Sequence, residues 1–163
     1  MANQTQELAG AETFSSGIGF LLWQAANCWQ RAQRRALAKL NLTPVQLLLL
    51  AGLNELSTQD GNVVKQAALA RHCRCDVMMT SQVVRSLELR GLIARAVHSG
   101  DARARAVTLT NKGRQRVTEA TPVFEAVDAR YFRVIGADRP AFTSVLAALS
   151  GTRHRVRIKA VAR

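Results

Sequence analysis

From Phe14 onward, apolar side chains recur at Phe14, Ile18, Leu21, Leu22, Ala25, Cys28, Trp29, Ala32, Ala36 and Leu40. Steps of three and four place them on one face of a single long helix, with Cys28 in its core stripe. Thr43-Pro44-Val45-Gln46 then has the chemistry of a helix start. Thr43 caps the first turn, Pro44 suits the first helical position, and Gln46 closes a capping box. Leu47 to Leu50, Leu53 and Leu56 predict a second helix buried almost all round. A turn over 59–62 and a single short strand at Val63-Val64 follow. Lys65 to His72 forms a short helix whose Ala67, Ala68, Leu69 and Ala70 are small enough for another helix to cross closely. Asp76 caps the next helix, which ends at Gly91. On it Thr80, Val83, Val84 and Leu87 face inward at i, i+3, i+4, i+7, so Met78, Ser81, Gln82 and Arg85 face outward.

Leu92 to Val97 and Arg105 to Leu109 predict two strands joined by a seven-residue loop from His98 to Ala104, a hairpin with a long tip. Thr110 caps a helix expected to run to about Ile135, either kinked or divided by Pro122. Asp138 starts a last helix with Phe142, Val145, Leu146 and Leu149 on one face. The expected fold is therefore mainly α with a small β-hairpin wing. Two short helices crossing at small residues, followed by the hairpin, make a winged helix-turn-helix. It divides into a disordered start (1–13), a first long helix (14–42), the winged lobe (43–110), further long helices (111–150) and a basic arm (151–163). The long terminal helices carry apolar stripes that the central lobe cannot cover, so they are expected to form a homodimer interface.

A chain of 163 residues suits one domain with a proper core. With 48% hydrophobic and 21% charged residues it is not a wholly disordered chain. No apolar run approaches the roughly 18 residues of a membrane span. Met1 to Gly10 has neither the basic nor the apolar region of a leader, so a cytoplasmic address and no membrane partner are expected. The net charge of +12 changes the picture more. It is concentrated between residues 60 and 120 and in the arm, where Arg153, Arg155, Arg157, Lys159 and Arg163 meet no acid. Nucleic acid is the first partner to consider.

The outward residues of the second short helix match the chemistry of base edges in a major groove. Ser81, Gln82 and Arg85 can reach base edges, where glutamine pairs with adenine and arginine with guanine, and Met78 or Met79 packs on a thymine methyl. Arg103, at the hairpin tip, enters a minor groove, where narrow A·T tracts deepen the negative potential. The run Asp101-Ala-Arg103-Ala-Arg105-Ala-Val107-Thr-Leu109-Thr110 resembles the wing of the MarR family (multiple-antibiotic-resistance regulators), which reads Asp-x-Arg, then a strand, then Leu-Thr. Ser86-Leu87-Glu88-Leu89-Arg90-Gly91-Leu92-Ile93 resembles that family's recognition-helix exit, and Leu69-Ala70 its preceding helix. Motif-level likeness spans about 65 to 115 and element order spans Phe14 to Leu149.

The resemblance implies a dimeric regulator, a repressor of nearby genes, that binds a pseudo-palindromic operator in double-stranded DNA. Two reading helices would then lie roughly 34 Å apart, one DNA turn. It also implies that Asp101 holds the wing arginines by an ion pair, with Arg105 in wing geometry or backbone contact. This wing is richer in alanine than those of relatives, which moves phosphate anchoring toward Lys65, Arg71, Arg74 and the arm. Relatives bind small aromatic acids or phenols, which implies an effector cavity lined by aromatic residues among Phe20, Trp23, Trp29, Phe124, Tyr131 and Phe132.

Two alternatives stand beside this reading. His72-Cys73-Arg74-Cys75 concentrates ligand-type residues, so Cys73 and Cys75 could sense a metal or an oxidant, although zinc sites usually need a fourth ligand at wider spacing. A non-specific nucleic-acid binder would use charge alone. An enzyme is not expected: no Gly-rich phosphate loop or paired carboxylates appear, and His72 and Cys73 point different ways on a helix. No cofactor and no metal site are called for. The odd count of three cysteines implies reduced thiols rather than disulfides.

Overall fold

The computed structural model describes residues 17–59, 63–98 and 101–152. They divide after Phe124 into two compact units. The first begins with α1 (Ile18–Leu37), continued by a 3-10 turn, Ala38–Leu40. Residues 14–16 of the expected stripe lie outside the described residues. Asn41 ends the turn in the left-handed region (φ 51°), a conformation asparagine tolerates. The capping box then forms as the sequence predicts. Thr43 N–H donates to Gln46 Oε1 at 3.0 Å, and Gln46 N–H to Thr43 Oγ1 at 3.3 Å.

Helix α2 (Pro44–Gln59) buries Leu47, Leu49, Leu50 and Leu53. It is not buried all round, because Leu48 is 47% exposed. Its Gly52 is the contact point for α3 (Gln66–His72): a Cβ there would strike Cys73 Sγ and crowd the His72 ring. The close crossing thus depends on a glycine of α2 as well as on buried Leu69 and Ala70 of α3. Arg74 turns the chain with φ 50°, and Asp76 Oδ1 accepts the Met79 N–H at 2.8 Å to start α4 (Val77–Leu89). Thr80, Val84 and Leu87 of α4 are sealed inside.

Helix α4 ends in a Schellman arrangement, with Gly91 at φ 69°. Gly91 N–H donates to the Glu88 carbonyl (2.8 Å) and Leu92 N–H to the Leu87 carbonyl (3.0 Å). Three antiparallel strands follow the order β1-β3-β2. Strand β1 is Val64–Lys65, one residue later than expected, because Val64 pairs with Val107 and Lys65 with Ala106. Strands β2 (Ile93–His98) and β3 (Asp101–Leu109) pair from Ile93 with Leu109 out to His98 with Asp101. The expected seven-residue loop is therefore replaced by longer strands. Pairing shifts between Val97 and His98, so the backbone of residues 102–104 forms an irregularity within β3.

Helix α5 (Asn111–Tyr131) starts in this unit and continues through Pro122 without division, ending at Tyr131 rather than Ile135. Val117 and Ala120 join Leu37, Leu50, Leu53, Val84, Leu92 and Val107 in one core. In the second unit a 3-10 segment, Phe132–Asp138, is kinked at Gly136 (φ 55°) and leads into α6 (Arg139–Leu149). Phe132 packs against Tyr131 and Phe142 with ring centroids 5.1 and 6.2 Å apart. No residue of α6 is buried, and Leu149 is 70% exposed while Val145 and Leu146 are half-buried, so its predicted apolar face is only partly covered.

Thr110 holds the lobe together at the start of α5. Its Oγ1 accepts the Gly113 N–H (3.0 Å) and lies 2.8 and 3.1 Å from the Gly91 and Leu92 carbonyls, to which it donates. Thr110→Ala is expected to lower unfolding stability by about 1–2 kcal/mol, and Thr110→Ser by only a few tenths, since serine keeps the hydroxyl. Urea denaturation of both variants checks this.

Candidate nucleic-acid interface

Because the Thr80, Val84 and Leu87 face of α4 is sealed, its opposite side must point to solvent. Met78 is 71% exposed, and Gln82 and Arg85 are exposed as expected. Ser81 differs: it sits half-buried at the edge of the face. Lys65 at the end of β1, Arg71 on α3, Arg74 in the turn and Arg105 on β3 are all exposed. Asp101 and Arg103 place their backbone in β3, while their side chains lie outside the described residues. Arg103 thus belongs to the irregular stretch of a strand rather than to a loop tip, a correction that follows from the register of β2 and β3.

Two contacts that fix this face are absent from the sequence reading. Glu88 on α4 forms an ion pair with Arg95 on β2, Arg95 Nε donating to Glu88 Oε2 at 2.6 Å. The pair is partly buried and joins α4 directly to β2 of the wing. Gln46 on α2 also reaches α4. Its Oε1 accepts from Arg90 Nη1 (3.2 Å) and its Nε2 donates to Ser86 Oγ (3.4 Å). A glutamate seven residues before an arginine across a helix-to-strand corner is a readable signal for the first contact. Nothing local signals the second.

A cavity of about 500 Å³ opens in the first unit, lined by Trp29, Gln30, Arg34, Thr43, Pro44, Val45, Leu48 and Phe124. Trp29 and Phe124 meet edge to face, 5.9 Å between centroids. Phe20 and Trp23 do not line it; they stack on each other near the start of α1, and Trp23 is 63% exposed. The walls are mostly apolar, with Arg34 supplying a cation, its Nη2 3.5 Å from Gln30 Oε1.

The thiols are poorly placed for chemistry that needs a thiolate. Burial, with Cys75 and Glu55 adding smaller pushes, raises the Cys73 thiol from 9.0 to about 11. Burial raises Cys75 as well. His72 Nε2 lies 2.9 Å from Glu55 Oε2, and no three His, Cys, Asp or Glu side chains among the described residues converge on one point. Cys28, expected in the core, is exposed on α1, with Arg31 Nη2 donating to its sulfur at 3.0 Å. Unfolding returns Cys73 to its ordinary acidity. Its contribution to stability is therefore complete below pH 9 and is lost as pH rises toward 11. At pH 8 the folded thiolate fraction is on the order of 0.1%, so alkylation of Cys73 by iodoacetamide is expected to run about 100-fold slower than in urea-unfolded chain. Peptide mass spectrometry reads the two rates, and equal rates would contradict the burial argument.

No family model matches the chain. Over 114 residues it is 41% identical to YdcH, an uncharacterised HTH-type transcriptional regulator of Bacillus subtilis strain 168, covering 70% of this chain and 77% of that one. Over 113 residues it is 32% identical to the HTH-type transcriptional repressor Rv2887 of Mycobacterium tuberculosis strain H37Rv, covering 69% and 78%. The crystal structure of that MarR family protein in complex with salicylic acid matches with TM-score 0.60 at 28% identity, over 82% of this chain and 96% of that one. BpsR of Bordetella bronchiseptica, whose DNA binding is regulated by 6-hydroxynicotinic acid, matches with TM-score 0.77 at 26% identity, over 86% and 98%. A sealed inner face on α4, an adjoining three-stranded wing and these likenesses lead to one conclusion: the chain belongs to the MarR family of winged helix-turn-helix transcriptional regulators, which bind DNA.

Proposed function

We propose that the protein is a cytoplasmic homodimeric repressor that binds a pseudo-palindromic operator and is released by a small aromatic carboxylate. The observation that carries the DNA reading is the division of α4 into a sealed face and an open one bearing Gln82 and Arg85. Met78, Ser81, Gln82 and Arg85 are assigned to the major groove. Arg103 is assigned to the minor groove, with Asp101 and Arg105 supporting the wing. Lys65, Arg71 and Arg74 anchor phosphates around them, and the basic arm after residue 151 adds to the salt dependence.

Dimerisation is supported by apolar side chains left in solvent on the long helices: Ile18 is 84% exposed, and Leu21, Leu22 and Leu149 are also open. A two-fold partner that covers 14–42 and 111–150 would leave 43–110 as the reading lobe. The effector reading rests on the cavity, whose size and apolar walls suit a small ligand, with Arg34 placed to meet a carboxylate. Salicylic acid and 6-hydroxynicotinic acid, named for the two relatives, are ligands of this class. A redox-sensing reading finds no support in Cys73, whose thiol is held protonated.

Operator selection from the source genome, followed by anisotropy titration, tests the proposal. A true operator is expected to bind about 10³-fold or more tighter than random duplex, and equal binding would mark a protein that uses charge alone. Gln82→Ala is expected to cost about 1–3 kcal/mol at one base position and to relax preference there, without lowering the melting temperature. Unchanged selectivity in a randomised-site selection would remove Gln82 from the interface. Arg103→Ala is expected to weaken operator binding and to leave dimerisation intact, read by the same titration across salt concentrations and by sedimentation.

A further inference from the structure

The first turn of α2 forms one wall of the cavity through Thr43, Val45 and Leu48. Gln46 belongs to that turn without lining the space. Its amide is shared between two tasks. Toward its own helix, Oε1 accepts the Thr43 N–H at 3.0 Å and so completes the cap. Toward α4, the same oxygen accepts from Arg90 at 3.2 Å, and Nε2 donates to Ser86 Oγ at 3.4 Å. Ser86 follows Arg85 directly, and Arg90 lies at the exit of α4. A planar amide cannot follow a displaced Thr43 while keeping both α4 partners in line, because hydrogen bonds weaken steeply off axis.

We propose that Gln46 is a positioning residue that carries occupancy of the cavity to the reading helix. A molecule pressing on Thr43 or Val45 moves the cap, the amide turns with it, and α4 loses its hold at Ser86 and Arg90. This rests on the cavity being the effector site, and it adds which group relays the signal.

Salicylate is the probe, and the release factor is the ratio of operator affinity without and with saturating salicylate. Because it is a ratio, a uniform loss of DNA affinity cancels. The wild-type factor is expected to be about tenfold and to fall to near one in Gln46→Ala, while salicylate affinity of the free protein changes by less than about threefold. Gln46→Glu keeps the cap, since glutamate is an ordinary capping-box partner, and keeps both α4 contacts, because the Ser86 hydroxyl can donate to a carboxylate; it is expected to retain the factor. Ser86→Ala and Arg90→Ala each remove one α4 partner while leaving the cap intact, and are expected to lower the factor while folding as the parent does. An unchanged factor in these two variants overturns the proposal, whether or not Gln46→Ala folds.

Val45→Phe, which fills the cavity without a ligand, separates the relay from the effector reading. It is expected to weaken operator binding in the parent and to have little effect on top of the Ser86→Ala/Arg90→Ala pair, which leaves Gln46 no partner on α4. Equal losses in both backgrounds, or no loss in either, would overturn the relay. Failure of salicylate to bind the parent would overturn only the choice of effector site.

Discussion

The end of α4 depends on the satisfaction of three backbone carbonyls. Those of Arg90, Gly91 and Leu92 emerge where the helix stops, and each is met by the first turn of α5. Lys112 Nζ donates to the Arg90 carbonyl at 3.0 Å, and the Thr110 hydroxyl serves the other two. Thr110 N–H adds a further bond to Leu92 at 3.2 Å. Gly113 makes the approach sterically possible, because a Cβ there would run into the Leu92 carbonyl. The hairpin begins and ends at the same place, since Ile93 pairs with Leu109. Helix α4, the wing and the start of α5 are therefore fixed to one another through a few backbone carbonyls, of which that of buried Leu92 is the most costly to leave unpaired.

Much of this was legible from local chemistry. Helix caps act within four residues, so Thr43 with Gln46, Asp76, Gly91 and Thr110 each declared a boundary that the backbone confirms. The period of α4 likewise gave its buried face. Apolar spacing, however, tells which side of a helix is apolar without telling what covers it. Leu48 and Cys28 sit in apolar runs and yet face outward. The wing was misjudged for another reason. Residues 101 to 106 alternate polar with apolar as a strand does, but aspartate and alanine are poor strand formers and Gly100 precedes them, and so the start of the strand reads as a loop.

The cavity shows why residue type alone is a poor guide to a binding site. Six aromatic residues were candidates, and two line the space, Tyr131 and Phe132 packing instead against each other. At 1.5 Å of rise per residue, Trp23 lies about 9 Å along the helix from Trp29, more than the span of one ring. Trp29 qualifies because the middle of α1 meets α5 there, with buried Gln33 donating to the Phe124 carbonyl at 3.2 Å. Arg34 and the capping turn of α2 complete the wall, and neither carries a sequence signature of binding. Gln46 carries one for capping only. Its other partners lie 40 and 44 residues away, and tertiary folding alone brings them together.

A reading helix anchored at its exit by one set of bonds and at its side by another can tilt only if one set gives way. The exit anchor is a set of bonds of 2.8 to 3.2 Å made by Thr110 and Lys112 and reinforced by the pairing of Ile93 with Leu109. The side anchor is a single partly buried amide whose bonds are longer, at 3.2 and 3.4 Å, and therefore weaker. In the proposed relay, a small change in the cavity wall is expressed at the weaker anchor, and α4 pivots about the stronger one. A ligand shifts such an equilibrium only by its differential affinity for the two arrangements. Under that proposal a weak tether beside the cavity keeps the required difference small, whereas a stronger one would let a ligand occupy the cavity without moving α4.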